Sequence, residues 1–186
     1  MEHLLPQISE WFLRKEKWLR VFAQKDSRVE GWFKGEMLVC LQQLQDEGHI
    51  EQFEREFTIG AKDWGKSGQL RIDFRIRKAG LDNLCEVKAV CISEALTARD
   101  LDFYFRPKGN RGITKDFLKL GNLQRSEAVW ILSFFYPAPS GEEWSLMMRK
   151  WADVISPWVC VTAPSSYPEW FFLGCWKLHK NAERTL

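Results

Sequence analysis

The sequence predicts an α/β fold, a mixed central β-sheet flanked by helices, and three features carry that expectation. Apolar residues recur at helical spacing over the first quarter of the chain. Period-two and near-continuous apolar runs, separated by polar turns, fill the middle. A short basic helical pattern then leads into another apolar strand. A length of 186 residues suits one domain, 1–186, with a sizeable core.

The first element spans about residues 4–24, where Leu4, Ile8, Trp11, Phe12, Trp18, Leu19 and Phe22 alternate with Arg14, Lys15, Lys17 and Arg20. This spacing predicts an amphipathic helix whose basic face is either solvated or set against a phosphate backbone. A second helix is expected over about 27–46, with Ser27 as N-cap and Gly48 as stop signal. Its apolar stripe is Val29, Phe33, Met37, Cys40, Leu41 and Leu44, and Glu36 falls within or beside it. A carboxylate so placed needs a cation, a proton or a metal ion to offset its desolvation.

Residues 51–59 alternate enough to form a first strand, whose Glu54 and Glu56 are expected on a polar face near the sheet edge. A glycine-punctuated turn over 60–68 follows; its Gly65-Lys66-Ser67 lacks the upstream glycine and the strand-to-helix context of a phosphate loop. The next stretch, Leu70–Ile92, reads as a hairpin. Alternation predicts Ile72, Phe74 and Ile76 on one face and Asp73 on the other. The second half is apolar enough for a central strand covered on both sides, yet it carries Glu86 and Lys88, which share a face.

Two carboxylates and a lysine on adjacent strands fit phosphate chemistry. Asp73 and Glu86 offer hard oxygen ligands for a magnesium-type cation, and Lys88 can hold an attacking water or offset charge building on a phosphate. A cross-strand ion-pair ladder on a solvated face is the competing reading.

Between Arg99 and Arg125 seven cations stand against three aspartates, although the whole chain carries only +2. A local excess of this kind is what contact with a nucleic-acid backbone needs. Within it Ile113, Phe117 and Leu120 predict a helix, with Lys115 and Lys119 on one face. Residues 127–136 form a buried strand by composition. The remainder, 137–186, predicts a helix over about 141–153 and strands near 158–162 and 170–176. It is strongly aromatic and reads as core and lid, or as the surface for a homodimer or larger complex. No histidine, serine or cysteine arrangement offers a rival catalytic constellation. Five cysteines without zinc spacing read as free thiols in a reducing cytoplasm, and neither a signal peptide nor a membrane span is expected.

Asp73, twelve intervening residues and Glu86-Val87-Lys88 resemble the PD-(D/E)XK, or restriction endonuclease-like, nuclease superfamily. Its usual proline before the Asp is Ile72 here. The order helix, strand, hairpin, basic helix, strand is similar to the superfamily core over about residues 27–136. The resemblance implies a magnesium-dependent endonuclease, with manganese as substitute, that hydrolyses phosphodiester bonds in DNA. It implies Asp73, Glu86, Lys88 and Glu36 as catalytic residues and Asp73, Glu86, Glu36 and Val87 as the metal set. Arg111, Lys115 and Lys119 are the expected nucleic-acid contacts. RNA as substrate, and a catalytically inactive module of this fold with a protein partner, stay open as alternatives.

Overall fold

The computed structural model describes residues 1–25, 29–64, 68–92, 101–106, 112–121, 123, 127–164 and 170–179. After a 3-10 turn at Glu2–Leu4, the helices are α1 (Leu5–Leu13), α2 (Glu16–Gln24), α3 (Glu30–Asp46), α4 (Ala61–Trp64), α5 (Leu101–Phe105), α6 (Ile113–Leu120), α7 (Gly141–Lys150) and α8 (Ala152–Ile155). The strands are β1 (Gln52–Ile59), β2 (Leu70–Lys78), β3 (Leu81–Cys91), β4 (Ala128–Tyr136), β5 (Trp158–Cys160) and β6 (Phe172–Leu178). They form one six-stranded sheet in the order β1-β2-β3-β4-β6-β5. Neighbours are antiparallel except β3 and β4, which run parallel with α5 and α6 between them in the chain. The α/β class and mixed sheet expected from the sequence are therefore present.

Each sheet face has its own core. On one side Ile8, Phe12, Leu19, Phe33, Met37 and Leu41 of α1–α3 pack on Phe74, Cys85, Val87, Leu132 and Phe134. On the other, Phe105, Phe117, Trp144 and Trp158 pack on Leu84, Val90, Ile131, Phe135 and Trp176. Alternation along β3 and β4 feeds both cores, which is why these central strands read as almost wholly apolar. Much of the aromatic C-terminal third is used in the same way, to build β5, β6 and the core beneath α7.

Two local expectations change, and a third, the cap Ser27, lies outside the described residues. The helix expected over 4–24 is two, because Arg14-Lys15-Glu16-Lys17 offers no apolar side chain to hold that turn against the sheet. The second change matters most for the site: Ile72 does not share a core with Phe74 and Ile76. Phe74 and Ile76 lie in the α1–α3 core, whereas Leu70 and Ile72 lie in the opposite one. The β1–β2 register pairs Arg55 with Phe74 and Phe57 with Ile72, and leaves Glu56 opposite Asp73 without a ladder pairing. Glu56 has a φ of 56°, a left-handed conformation that costs an L residue roughly 1–2 kcal/mol. The β1–β2 ribbon thus crosses from one face of the sheet to the other at Glu56 and Asp73.

α6 is held over β3 by close backbone contacts. Tyr104 Oη donates to Cys91 O at 2.8 Å, and Thr114 Oγ1 donates to Phe105 O. Gly112 begins the helix at φ 114°, and a Cβ there would lie 2.5 Å from Tyr104 O, so only glycine fits.

Candidate functional site

Where β2 changes face, its ladder with β3 stops. The last paired residues are Phe74 and Cys85; the same register continued would set Asp73 opposite Glu86 and Ile72 opposite Val87. There the Val87 N–H donates instead to Asp73 Oδ2 at 2.8 Å. One backbone donor of β3 thereby fixes the Asp73 carboxylate beside Glu86-Val87-Lys88, and the gap between the strands lets α3 and α6 reach it from the two faces.

Seven charged side chains meet in that gap. Lys34 Nζ of α3 lies 2.8 Å from Asp73 Oδ1 and 2.8 Å from Glu30 Oε1. Lys88 Nζ lies 3.3 Å from Asp116 Oδ2 of α6 and 3.8 Å from Glu30 Oε1. Lys119 Nζ, also on α6, stands 3.8 Å from Glu86 Oε1 and donates to Arg71 O at 3.5 Å. Glu86 is 6% exposed, and its Oε2 is buried with no hydrogen-bond partner among the described residues.

The electrostatics follow from this packing. Burial, together with the charges of Asp73 and Asp116, pushes Glu86 up to about 7 against the favourable pull of Lys119 and Lys88. Burial likewise raises Asp116, opposed by Lys88 and Lys119. Burial would lower Lys88, but Asp116, Glu30 and Glu86 more than compensate and raise it. Lys34 is raised in the same manner, its desolvation outweighed by hydrogen bonds to Asp73 and Glu30. The cluster is a compact alternation of charges in which two carboxylates, Glu86 and Asp116, are raised by burial, and Glu86 Oε2 and Asp116 Oδ2 are buried without a hydrogen bond among the described residues.

Of the residues singled out in the sequence, Asp73, Glu86, Val87 and Lys88 come together. Glu36 does not join them. Its Oε2 accepts from Trp11 Nε1 at 3.1 Å and pairs with Lys15 Nζ at 3.0 Å, on the side of α3 that meets α1. The carboxylate beside the α3 stripe thus takes a lysine as its charged partner. Glu30 is the α3 carboxylate at the cluster. Lys119 points into the cluster, Lys115 is exposed, and Arg111 lies outside the described residues. Glu54 pairs with Arg75 at 2.8 Å, and Glu56 lies 3.4 Å from Arg71, both on the edge strand.

Sequence reasoning missed Lys34, Glu30 and Asp116. Asp116 was findable, since it sits three after Ile113 and four before Leu120, inside the α6 stripe. Lys34 and Glu30 carried no such signal.

Asp73, Glu86, Asp116 and Glu30 bring to this gap hard oxygens, the donor type a divalent cation takes, and Glu86 Oε2 has no hydrogen-bond partner among the described residues. Among the described residues, however, no three His, Cys, Asp or Glu side chains stand at metal-holding spacing. The ammonium of Lys34 occupies Asp73. No helix of the described residues is long and apolar enough to cross a membrane. No family model, no curated protein and no solved structure matches this chain.

Proposed function

We propose that the chain is a divalent-metal-dependent nuclease that hydrolyses phosphodiester bonds in DNA, with Asp73, Glu86 and Lys88 at its centre. The observation that carries this reading is the buried Glu86 carboxylate, left with an unpartnered oxygen beside Asp73 and on the same strand face as Lys88. Desolvating such a group without compensation costs stability, and cost without structural gain is the mark of a working site. The element order α3, β1, β2, β3, α6, β4, with β3 and β4 parallel, also supports the resemblance to the PD-(D/E)XK superfamily core.

In this reading Asp73 and Glu86 would hold a magnesium-type ion, with manganese as substitute. When bound, that ion supplies Lewis acidity toward the phosphate and a more acidic water. Val87 orients Asp73 through its N–H, and Asp116 holds the Lys88 ammonium where it can place the attacking water or neutralise phosphate charge. Lys34, now paired with Asp73, would have to give up that carboxylate for it to hold such an ion. The reduced state of the five cysteines fits work in the cytoplasm.

A second reading has one observation in its favour: Lys34 already neutralises Asp73, as it would in a nuclease fold kept only for binding. Incubation with single- and double-stranded DNA and RNA, in manganese, magnesium or chelator, separates the possibilities. Metal-dependent cleavage of DNA is the expected result. Cleavage of RNA alone changes the substrate, and no cleavage of any substrate in either metal leaves the binding module.

A further inference from the structure

The segment from the end of α1 through α2 is the most lopsided in charge that the nuclease site does not use. Residues 14–25 hold five cations, Arg14, Lys15, Lys17, Arg20 and Lys25, against one acid, Glu16, in a chain whose total is +2. The apolar side of α2 is spent, since Leu19 and Ala23 are buried in the core. Its outer side nevertheless shows Trp18, 51% exposed, and Val21, 45% exposed, one turn apart. Trp18 is the only tryptophan among those whose burial is described that is exposed. Lys17 Nζ lies 5.2 Å from its ring centroid, so cation and flat apolar face are presented together.

We propose that this face of α2 is a docking surface for a nucleic-acid strand, with Trp18 stacking on a base and Lys17 and Lys25 holding the backbone. The proposal rests on the nuclease reading and extends it by naming where the substrate is gripped away from the reacting phosphate. Charge complementarity selects the occupant, because a polyanion that also carries flat π-faces satisfies both the cations and the indole. Arg14 and Arg20 are paired with Glu10 and Glu16, but these i,i+4 pairs are exposed, so phosphates can displace the glutamates at little cost. The location is suitable too. Phe22 packs on Trp32 with ring centroids 5.1 Å apart, and Trp32 is two residues from Glu30, which reaches Lys88. α2 thus packs, through Phe22 and Trp32, against the first turn of α3, the turn that carries Glu30. A lipid surface fits less well, because two exposed apolar side chains on a nine-residue helix make a narrow face for insertion.

The test uses the full chain in chelator, where binding is read without cleavage, and a fluorescein-labelled single-stranded oligodeoxynucleotide as probe. Trp18→Ala should weaken binding roughly tenfold, with Trp18→Phe recovering most of it. Lys17→Gln with Lys25→Gln should flatten the plot of log affinity against log salt by about 1.4. Thermal unfolding should be unchanged in all three, since these side chains are exposed. Wild-type affinity and salt slope in the variants overturn the docking surface and leave the nuclease reading standing. Failure of the wild-type protein to bind the probe even at low salt likewise overturns the docking surface, while the nuclease reading stands or falls separately on cleavage in manganese. If Trp18→Ala instead loses binding to vesicles of phosphatidylglycerol and phosphatidylcholine, with oligonucleotide affinity intact, the occupant is a membrane and the proposal is wrong.

Discussion

Lys34 Nζ sits 2.8 Å from Asp73 Oδ1, so the carboxylate that the proposed metal site needs is already bound to a cation of the protein. Metal binding, under the proposed function, would be an exchange of an ammonium for a divalent ion. Lys34→Gln should raise magnesium affinity by about tenfold in isothermal calorimetry, equivalent to about 1.4 kcal/mol. The same variant should be less stable than wild type in chelator and regain stability with magnesium, because it leaves Asp73 and Glu30 without their shared partner. An unchanged magnesium affinity would show that Lys34 does not compete for the site.

Glu86 carries a pH dependence whose sign is fixed by its upward displacement, to about 7 from an ordinary 4.5. The folded state binds this proton more tightly than the unfolded state. Stability in chelator is therefore highest below about pH 4.5 with respect to this group and falls as pH rises to about 7, by about 3 kcal/mol. Glu86→Gln removes the penalty. Urea unfolding at pH 8 should show the variant more stable than wild type by up to that amount, with little difference at pH 4. A variant that is less stable at pH 8 would contradict the assigned burial of an uncompensated charge.

Glu36→Gln is expected to separate structure from site. Its contacts with Trp11 and Lys15 tie α3 to α1, so the substitution should cost about 1 kcal/mol of stability while leaving the magnesium titration at the wild-type midpoint. A shifted titration would return Glu36 to the metal set.

Asp116 positions Lys88, and its loss should be legible in a pH profile. Asp116→Asn removes the strongest support for the raised Lys88 ammonium, so Lys88 should titrate at lower pH. The alkaline limb of kcat should move down with it, while KM for DNA changes little. A profile that keeps its alkaline limb would mean that Lys88 takes no part as a cation.

The parts of this molecule that were legible in the sequence are those where one physical rule acts alone. Alternation and composition located β1 through β4, and the Glu86 and Lys88 pair stood out because charges on an otherwise apolar strand need a reason. What was not legible depends on the crossing of β2 between faces at Asp73. Period two predicts a common face for Ile72 and Phe74, and nothing local announces that Glu56 adopts a left-handed φ opposite Asp73. That crossing opens the β2–β3 gap and admits Lys34, Glu30 and Asp116. Their convergence is a property of three elements far apart in the chain, as is the partnership that draws Glu36 toward Lys15 instead.

The central claim is that Asp73, Glu86 and Lys88 perform metal-dependent phosphodiester hydrolysis. Its most direct test is the single-turnover cleavage rate of DNA in manganese for Asp73→Ala, Glu86→Ala and Lys88→Ala, beside Glu54→Ala and Glu56→Ala on the edge strand. Each of the first three should lower the rate by at least about a hundredfold, with the fold retained by circular dichroism, while the two edge-strand variants cut at the wild-type rate. Wild-type cleavage by any one of the first three would contradict the account.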